Sequence, residues 1–308
     1  MPRHEVRAPV TPALTHAGAG PPADAVRRGI FDPASPGPLI MGILNVTPDS
    51  FSDGGKFSTP NAALAAARRM HQAGAHIIDV GGESTRPGAA PVSIDQELDR
   101  VLPVIERIRD DLEVAVSIDT SKPEVMRAAA MSGACMINDV RALRAPGALE
   151  TARDLKLPVC LMHMLGKPRT MQANPRYDDV VTEVRDFLVS RAATCMNAGI
   201  SRDRIVIDPG FGFGKNLSHN LALLGRLETL VETGYPVLVG LSRKSMLGTM
   251  LNKSVDERMH GSIALALMAY LRGACIFRVH DVEATADALR VAERVLAATD
   301  PCTSRSWR

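Results

Sequence analysis

Polar and ionisable side chains follow short apolar runs along most of this 308-residue chain. In chain order they are Asn45, Asp79, Asp119, Asn138 with Asp139, His163, Asp208, Ser242 with Lys244, and Arg278 with His280. The cations among them, together with Arg86, suit a phosphate or another anion. The carboxylates and amides suit a polar heterocycle, and the oxygen of Asn45 suits Mg²⁺ held mainly through substrate phosphates and water.

Other common chemistries lack their sequence patterns. There is no His-x-x-x-His or cysteine cluster for a soft metal, and Gly-x-Ser-x-Gly is absent, so no Ser-His-Asp nucleophile is indicated. The segment from Gly210 to Gly214 has the wrong spacing for a dinucleotide fingerprint, and Pro209 and Asn216 break the phosphate-loop pattern.

The apolar runs themselves predict eight strands. Each run is too short for a helix and rich in Ile, Val and Leu, which is typical of parallel strands buried on both faces. The runs are Leu39–Leu44, His76–Val80, Val114–Ile118, Ala134–Ile137, Pro158–Met162, Arg204–Ile207, Pro236–Leu241 and Ala274–Val279.

Helical patterns with readable ends lie between these runs. Thr59 and Pro60 open one helix and Gly74 closes it. The sequence predicts a capping box at Ser93–Gln96 and another at Ser121–Glu124. A Gly-Ala pair recurs before three strands, where glycine can take the left-handed conformation that ends a helix.

Eight strand–helix units favour an α/β fold with a single (β/α)₈ TIM barrel over residues 38–298. A doubly wound open sheet uses the same units, but its dinucleotide fingerprint is missing. Residues 1–37 are rich in Ala, Pro and Gly and predict a disordered, flexible extension, and residues 299–308 form a tail.

In a barrel, the carboxyl ends of all strands meet at one face, where barrel enzymes carry their active sites. A single polar residue at that face often has a structural role and not a catalytic one. Asp281 is expected to cap a helix, and a histidine such as His163 is often structural. Eight such positions at one face indicate an active site. Loops 46–58 and 81–91 could close over a ligand, and Phe211 and Phe213 on a glycine-rich turn favour a flat one.

Composition excludes several classes of protein. The formal net charge is +2 without a long basic run, so nucleic-acid binding is not expected. No segment approaches the roughly 20 apolar residues of a membrane span. The five cysteines are far apart and form no Cys-x-x-Cys pair, which predicts free thiols and a cytoplasmic location.

Taken in order, these motifs resemble the dihydropteroate synthase family over residues 38 to about 298. The matching segments are Gly42–Gly55, Asp79–Gly88, Ser117–Thr120, Ile137–Asp139, Leu161–Met164, Asp208–Lys215, Ser242–Met246 and Arg278–Asp281. The resemblance implies condensation of 6-hydroxymethyl-7,8-dihydropterin diphosphate with 4-aminobenzoate, with release of pyrophosphate.

The resemblance also implies a role for each matching residue. Pterin binding falls to Asp119, Asn138, Met162, Asp208, Lys244 and Arg278. Diphosphate binding falls to Asn45, Thr85, Arg278 and His280, with Mg²⁺ as cofactor on Asn45. The aminobenzoate would lie among Phe51, Thr85, Arg86, Pro87, Gly212, Phe213 and Ser242.

Asp119, Lys244, Arg278 and His280 are the expected catalytic residues. Cleavage of the carbon–oxygen bond moves charge onto the diphosphate, which cationic groups and Mg²⁺ stabilise. Asp119 would favour the electron-poor methylene that remains, so an SN1-like transfer is expected.

Two alternatives stay open at this stage. One is a pterin-binding paralogue without catalysis, and the other is a methyltetrahydrofolate-dependent methyltransferase built on a similar barrel. A homodimer through the outer helices is a family expectation, although Ile263, Leu267 and Tyr270 could equally pack on the barrel. Phe51 and Pro87 hold the family's usual residue types, which predicts sensitivity to sulfonamides.

Overall fold

The structure is a computed structural model that describes residues 37–47, 60–84, 90–166 and 170–299. The predicted extension and tail lie outside the described residues, apart from Gly37 and Thr299. Most of the predicted loop 46–58 and the centre of loop 81–91 also lie outside them. These predictions stay predictions.

Eight parallel strands form one sheet in the order β6-β5-β4-β3-β2-β1-β8-β7. A parallel bridge between Ile207 and Val237 then joins β6 to the β7 side, so the sheet curls into a barrel. The predicted (β/α)₈ barrel is confirmed, and the doubly wound open sheet is excluded. The strands are β1 (Leu39–Asn45), β2 (Ile77–Gly81), β3 (Ala115–Asp119), β4 (Met136–Asp139), β5 (Val159–Met162), β6 (Ile205–Asp208), β7 (Leu238–Val239) and β8 (Ile276–Val279).

Helices connect successive strands and cover the outside of the barrel. None of the helices in the described ranges is both long and apolar enough to cross a membrane. They are α1 (Pro60–Gln72), α2 (Ile94–Asp111), α3 (Pro123–Ser132), α4 (Ala148–Leu155), α5 (Val180–Asn197), α6 (Leu217–Gly225), α7 (Glu228–Val231), α8 (Ser245–Leu251), α9 (Met259–Leu271) and α10 (Val282–Thr299), with 3₁₀ turns at Arg202–Arg204 and Val255–Glu257.

One of the two predicted capping boxes is present. The Ser93 hydroxyl accepts a bond from Gln96 N, and the Gln96 side chain accepts one from Ser93 N, both at 3.2 Å. The capping box predicted at Ser121 is wrong. The Ser121 hydroxyl donates to Asp139 instead, and Lys122 occupies the cap position without a side-chain hydrogen bond that caps the helix.

The glycines of the three Gly-Ala pairs end helices as predicted, with φ of 100°, 121° and 94° at Gly74, Gly133 and Gly273. Each following alanine donates its N–H to a carbonyl five residues back, which satisfies an otherwise unpaired carbonyl at the helix end. The chain thereby turns directly into the next strand.

The alternation of strand side chains builds the floor of the site. Buried apolar residues fill the barrel interior as one cluster of Met41, Ile77, Ala115, Cys135, Met136, Cys160, Val206, Leu238 and Ile276. Successive residues of a strand point to opposite faces, so positions two or four further on also point inward. From Ile77, Met136, Val206 and Ile276 a step of two residues gives Asp79, Asn138, Asp208 and Arg278.

Strand β7 is the shortest strand and pairs with β8 only at Leu238 and Val239. The predicted run, Pro236–Leu241, is therefore longer than the strand. On the other side, the segment just before β7 joins β6 through the Ile207–Val237 bridge, and the Ile207 N–H donates to the Pro236 carbonyl at 3.0 Å. The polypeptide beyond Val239, which carries Ser242 and Lys244, leaves the sheet without further ladder bonds.

Candidate active site

A buried ion-pair network occupies the carboxyl end of the barrel. Asp79 Oδ2 accepts from Arg278 Nε at 2.6 Å and from Asn138 Nδ2 at 3.1 Å. Arg278 Nη2 donates to Asp119 Oδ2 at 2.7 Å. Asp79 is fully buried, so one carboxylate oxygen orients two residues from strands on either side of it.

Burial acts on the pKa of two groups in this network, Asp119 and Arg278. Burial raises the pKa of Asp119 to about 7, with Asp79 acting in the same direction and Arg278 in the opposite one. Burial opposes the charge of Arg278, but Asp79 and Asp119 raise the pKa of its guanidinium still further, so it stays protonated. Within the described ranges, Arg278 Nη1 has no protein acceptor and can donate to a ligand.

Asp208 and Met162 stand side by side at the ends of β6 and β5. One oxygen of Asp208 accepts from Gly210 N at 2.7 Å, and burial raises the pKa of its carboxyl group. Met162 is 4% exposed and packs in a cluster with Met164, Met171 and Phe213. This side of the pocket therefore offers a carboxylate beside an apolar wall.

Lys244 lies near enough to Asp208 for the two charges to act on each other. Its ammonium lies 4.5 Å from the centre of the Phe213 ring, and a side chain on Gly212 would meet the Lys244 stem at 3.4 Å. Burial and the nearby Arg278 lower the pKa of Lys244 to about 8, while Asp208 acts in the opposite direction. Lys244, Phe213 and Gly212 thus form one wall.

Ser242 and His280 form a second polar pair. The Ser242 oxygen lies 3.0 Å from His280 Nδ1 and accepts from the His280 backbone N–H at 3.2 Å. Burial, Arg278 and Arg243 lower the pKa of His280 to about 3, so the imidazole is neutral in the free protein. His280 was predicted from the sequence to be potentially positive; in this structure it is a neutral imidazole that can donate one hydrogen bond.

Asn45 stands at the end of β1, beside Gly81 and close to Asp119. Its amide oxygen accepts no hydrogen bond from the described residues, and these residues contain no cluster of three or more His, Cys, Asp or Glu side chains that could hold a metal. One free oxygen fits a Mg²⁺ ion whose other ligands are phosphate and water, and it fits no metal held by protein alone.

The structure does not bring every predicted strand-end residue into the pocket. Asp139 is fully buried and accepts from Ser121 and from the backbone of Arg141 and Leu143, so it organises its own loop. Phe211 is 1% exposed within the main core, so the prediction that it faces a ligand is wrong. Phe51, Thr85, Arg86 and Pro87 lie outside the described residues.

His163 is structural and has a partner that the sequence analysis missed. Lys215 is 2% exposed, and its ammonium lies 2.8 Å from His163 Nδ1 and donates to the carbonyls of Gly210 and Phe213 at 3.0 and 3.1 Å. A lysine in a glycine-rich loop is typical of a surface residue, so the sequence carried no signal for this anchor. Asp79 was also missed as a site residue, although its position at a strand end was visible.

Comparison with known proteins identifies the family to which this sequence and structure are similar. Residues 41–280 match the family model described as pterin binding enzyme. The dihydropteroate synthase of Escherichia coli K12 is 56% identical over 263 residues, which are 85% of this chain and 93% of that relative.

Solved structures agree with the sequence relatives. A Yersinia pestis dihydropteroate synthase with a sulfonamide drug superposes with a TM-score of 0.82 at 51% identity, covering 85% of this chain and 95% of that one. The Xanthomonas albilineans dihydropteroate synthase in complex with 7,8-dihydropteroate gives 0.78 at 50% identity, covering 84% and 94%. With the family model matched across the barrel and half of all residues shared, this chain belongs to the dihydropteroate synthases of the pterin-binding enzyme family.

Proposed function

We propose that this chain condenses 6-hydroxymethyl-7,8-dihydropterin diphosphate with 4-aminobenzoate, using the pocket at the carboxyl end of the barrel. The observation that carries the assignment of residues is the Asn138–Asp79–Arg278–Asp119 network, beside Asp208 and Lys244. Carboxylates, an amide and cations stand together at the carboxyl end of the barrel, which is what a pterin with a charged tail requires.

The pterin ring is held by complementary polar groups. Asp208 and Asn138 face its edge, with Lys244 and Asp119 completing the set, and Met162 covers one face. Arg278 covers the other face while its Nε and Nη2 stay bound to Asp79 and Asp119. Because those bonds exist before binding, the guanidinium needs little reorganisation.

The diphosphate is bound by Arg278 and His280, with Asn45 at the end of β1 and, by the family resemblance, Thr85. Nδ1 of neutral His280 faces the Ser242 hydroxyl. If that hydroxyl donates to Nδ1, the ring proton is on Nε2 and can be donated to an anion. Asn45 would hold Mg²⁺, which supplies charge neutralisation to the diphosphate when bound.

In the reaction, the bond between the pterin methylene carbon and the diphosphate oxygen breaks, and both electrons leave with the diphosphate. The amine nitrogen of 4-aminobenzoate then forms the new carbon–nitrogen bond and releases a proton. Arg278 and His280 stabilise the growing negative charge, while ionised Asp119 favours the cation-like methylene. The proposed transfer is SN1-like, because the carbon–oxygen bond breaks before the amine attacks, and no protein nucleophile is required.

The aminobenzoate lies on Phe213 and Gly212 of the wall that they form with Lys244. Ser242 is added to this subsite by the family resemblance. Phe51, Thr85, Arg86 and Pro87 complete this subsite by the family resemblance. A sulfonamide drug is present in the related Yersinia pestis structure. We therefore expect sulfonamides to compete with 4-aminobenzoate here; undiminished turnover at high sulfonamide concentration would contradict this subsite.

An apolar patch on α9 and α10 supports a homodimer. Leu271, Val291 and Val295 are 53–63% exposed and line one groove between the two helices, together with Leu267. Tyr270 instead packs its ring on Phe277 beneath the helix. The four described cysteines are free, which is consistent with the proposed cytoplasmic location.

Pyrophosphate release, measured with and without 4-aminobenzoate, tests the proposed function. Release that depends on the amine, with formation of dihydropteroate, is the expected result. A paralogue without catalysis would bind the pterin and release nothing. A methyltransferase would be indifferent to the diphosphate and would consume methyltetrahydrofolate, so either result would replace the proposal.

A further inference from the structure

We infer that Arg243 is a positioning residue, which clamps the Ser242–Lys244 turn to the end of β8 through a bidentate ion pair with Asp281. The inference rests on the proposed roles of Ser242, Lys244 and His280. Arg243 is assigned no contact with substrate and acts through its two neighbours, Ser242 and Lys244.

The backbone at Arg243 is strained. Its φ is +56°, in the left-handed region that non-glycine residues seldom adopt. This conformation stands between Ser242 and Lys244, two residues assigned to the substrate site. A strained residue persists only when its surroundings hold it, and such positions often lie at functional sites.

The surroundings hold Arg243 at every polar group. Its N–H donates to Ser262 Oγ at 2.9 Å, and its carbonyl accepts from Arg258 Nη1 at 3.2 Å. Its guanidinium donates to both oxygens of Asp281, at 2.6 and 3.1 Å, and its Nη1 lies 3.8 Å from Oδ1 of the exposed Asp256. A two-point pair of this kind fixes orientation as well as distance.

The need for this clamp follows from the short β7 strand. Ladder bonds to β8 end at Val239, so they do not fix the position of the turn that follows. Asp281 directly follows His280, and His280 contacts Ser242. The Arg243–Asp281 pair and the Ser242–His280 pair therefore tie the same two segments together, and loss of the first should loosen the second.

Two substitutions test the clamp from both sides. Arg243→Gly removes the ion pair but tolerates the positive φ, and Asp281→Asn keeps Arg243 while removing its charged partner. We expect each to lower kcat/KM by about 10- to 100-fold, as small misplacements of catalytic groups do. The double variant should lose no more than the worse single variant, because both remove one interaction. Arg226→Met, which breaks the exposed pair with Asp179, is the matched control.

A readout without turnover separates this inference from the proposed function. In the wild type, ¹⁵N-histidine spectra should show His280 as a single Nε2–H tautomer, with its resonances assigned by loss in His280→Gln. In Arg243→Gly and Asp281→Asn the tautomers should mix. The neighbouring charges are Arg278, Arg243, Lys244 and Asp281, so pH is held at 7.5 throughout.

The outcomes are distinct. An inactive wild type with the expected spectra would overturn the proposed function and retain the clamp. An active wild type overturns the clamp if both folded variants keep kcat/KM within twofold and a single His280 tautomer. Arg243→Gly at wild-type activity also overturns it, since only the backbone conformation would then matter.

Discussion

Asp119 and Lys244 bring two titrations close to neutral pH into one pocket. Burial raises the pKa of Asp119 to about 7 and lowers that of Lys244 to about 8. The proposed reaction needs the carboxylate of Asp119 and the ammonium of Lys244 at the same time. Only a narrow pH range of the free enzyme provides both, and the two apparent pKa values belong to the coupled site.

We expect kcat/KM for the pterin diphosphate to be bell-shaped in pH, with limbs near 7 and 8. Below the lower limb Asp119 gains a proton, and above the upper limb Lys244 loses one, so activity falls on both sides. Steady-state rates from pH 5.5 to 9.5 measure the profile. Asp119→Asn should remove the acid limb as well as lower activity, and a profile flat from pH 6 to 9 would contradict the assignment.

Asp79 is expected to be as important as the residues that touch the substrate. Asp79→Asn leaves Arg278 Nε and the Asn138 amide competing for one weaker acceptor, so pterin affinity should fall roughly 10- to 100-fold, the worth of about 1.5–3 kcal/mol for a charged hydrogen bond. Titration calorimetry measures it. Because the charge of Asp79 also raises the pKa of Asp119, the acid limb should move to lower pH. Asp154→Asn, at an exposed arginine pair, is the control and should change neither.

For individual residues, the sequence identified the residue types and their positions at strand ends but not their hydrogen-bond partners. Asp79 was visible as a polar residue after a strand, yet only the fold shows that its one oxygen serves both Arg278 and Asn138. Phe211 was misjudged and Lys215 was missed for one reason: a glycine-rich loop is typically exposed, and both residues are buried in this one. Burial of a loop depends on tertiary contacts that local sequence does not encode.

Among the connecting elements, the loop after β6 is held most tightly against a neighbour. Gly210 has φ of +67°, and a Cβ there would lie 2.0 Å from the backbone oxygen of His163. Backbone cannot retreat as a flexible side chain does. The close approach also brings the Gly210 carbonyl within reach of Lys215.

Gly210→Ala should therefore destabilise the protein by about 2–4 kcal/mol, through steric overlap and an unfavourable φ. Urea unfolding followed by circular dichroism gives the free energy of unfolding. Gly225→Ala is the matched control, since a Cβ at Gly225 meets no atom within 4 Å. Equal stability of the two variants would mean that the loop relaxes away from His163.

Helix ends show how far local sequence can be relied upon. The Ser93 box and the Gly-Ala turns form because they need only residues within one helix turn. The Ser121 box fails because Asp139, distant in sequence, offers its hydroxyl a charged acceptor. A tertiary partner with the stronger bond wins over the local one.

For the molecule as a whole, eight strands and the closed barrel follow from the spacing of apolar runs, because buried parallel strands need continuous apolar residues. The length of β7 did not follow, since Pro236–Leu241 is apolar throughout and only pairing decides where a ladder ends. The surface patch on α9 and α10 could not be predicted either, because the sequence does not show whether an apolar helix residue faces the barrel or the solvent.

That patch predicts an oligomer. Leu271→Asp with Val291→Asp should convert a dimer to a monomer in sedimentation velocity, raising the dissociation constant at least about tenfold by placing charges in an apolar interface. Met131→Glu, at an 85% exposed apolar residue on α3, should leave the dimer unchanged. A wild type that sediments as a monomer at every concentration would remove the dimer from the proposal.

The bridge between Ile207 and Val237 has a consequence for where the barrel opens locally. A cylinder opens where its seam has the fewest bonds, and this seam separates Asp208 from the turn that carries Lys244. A pterin bound to both residues, as proposed, would connect the two sides of this seam. We therefore expect bound substrate to stabilise the closed barrel, because it would add contacts between the two edges that the Ile207–Val237 bridge joins.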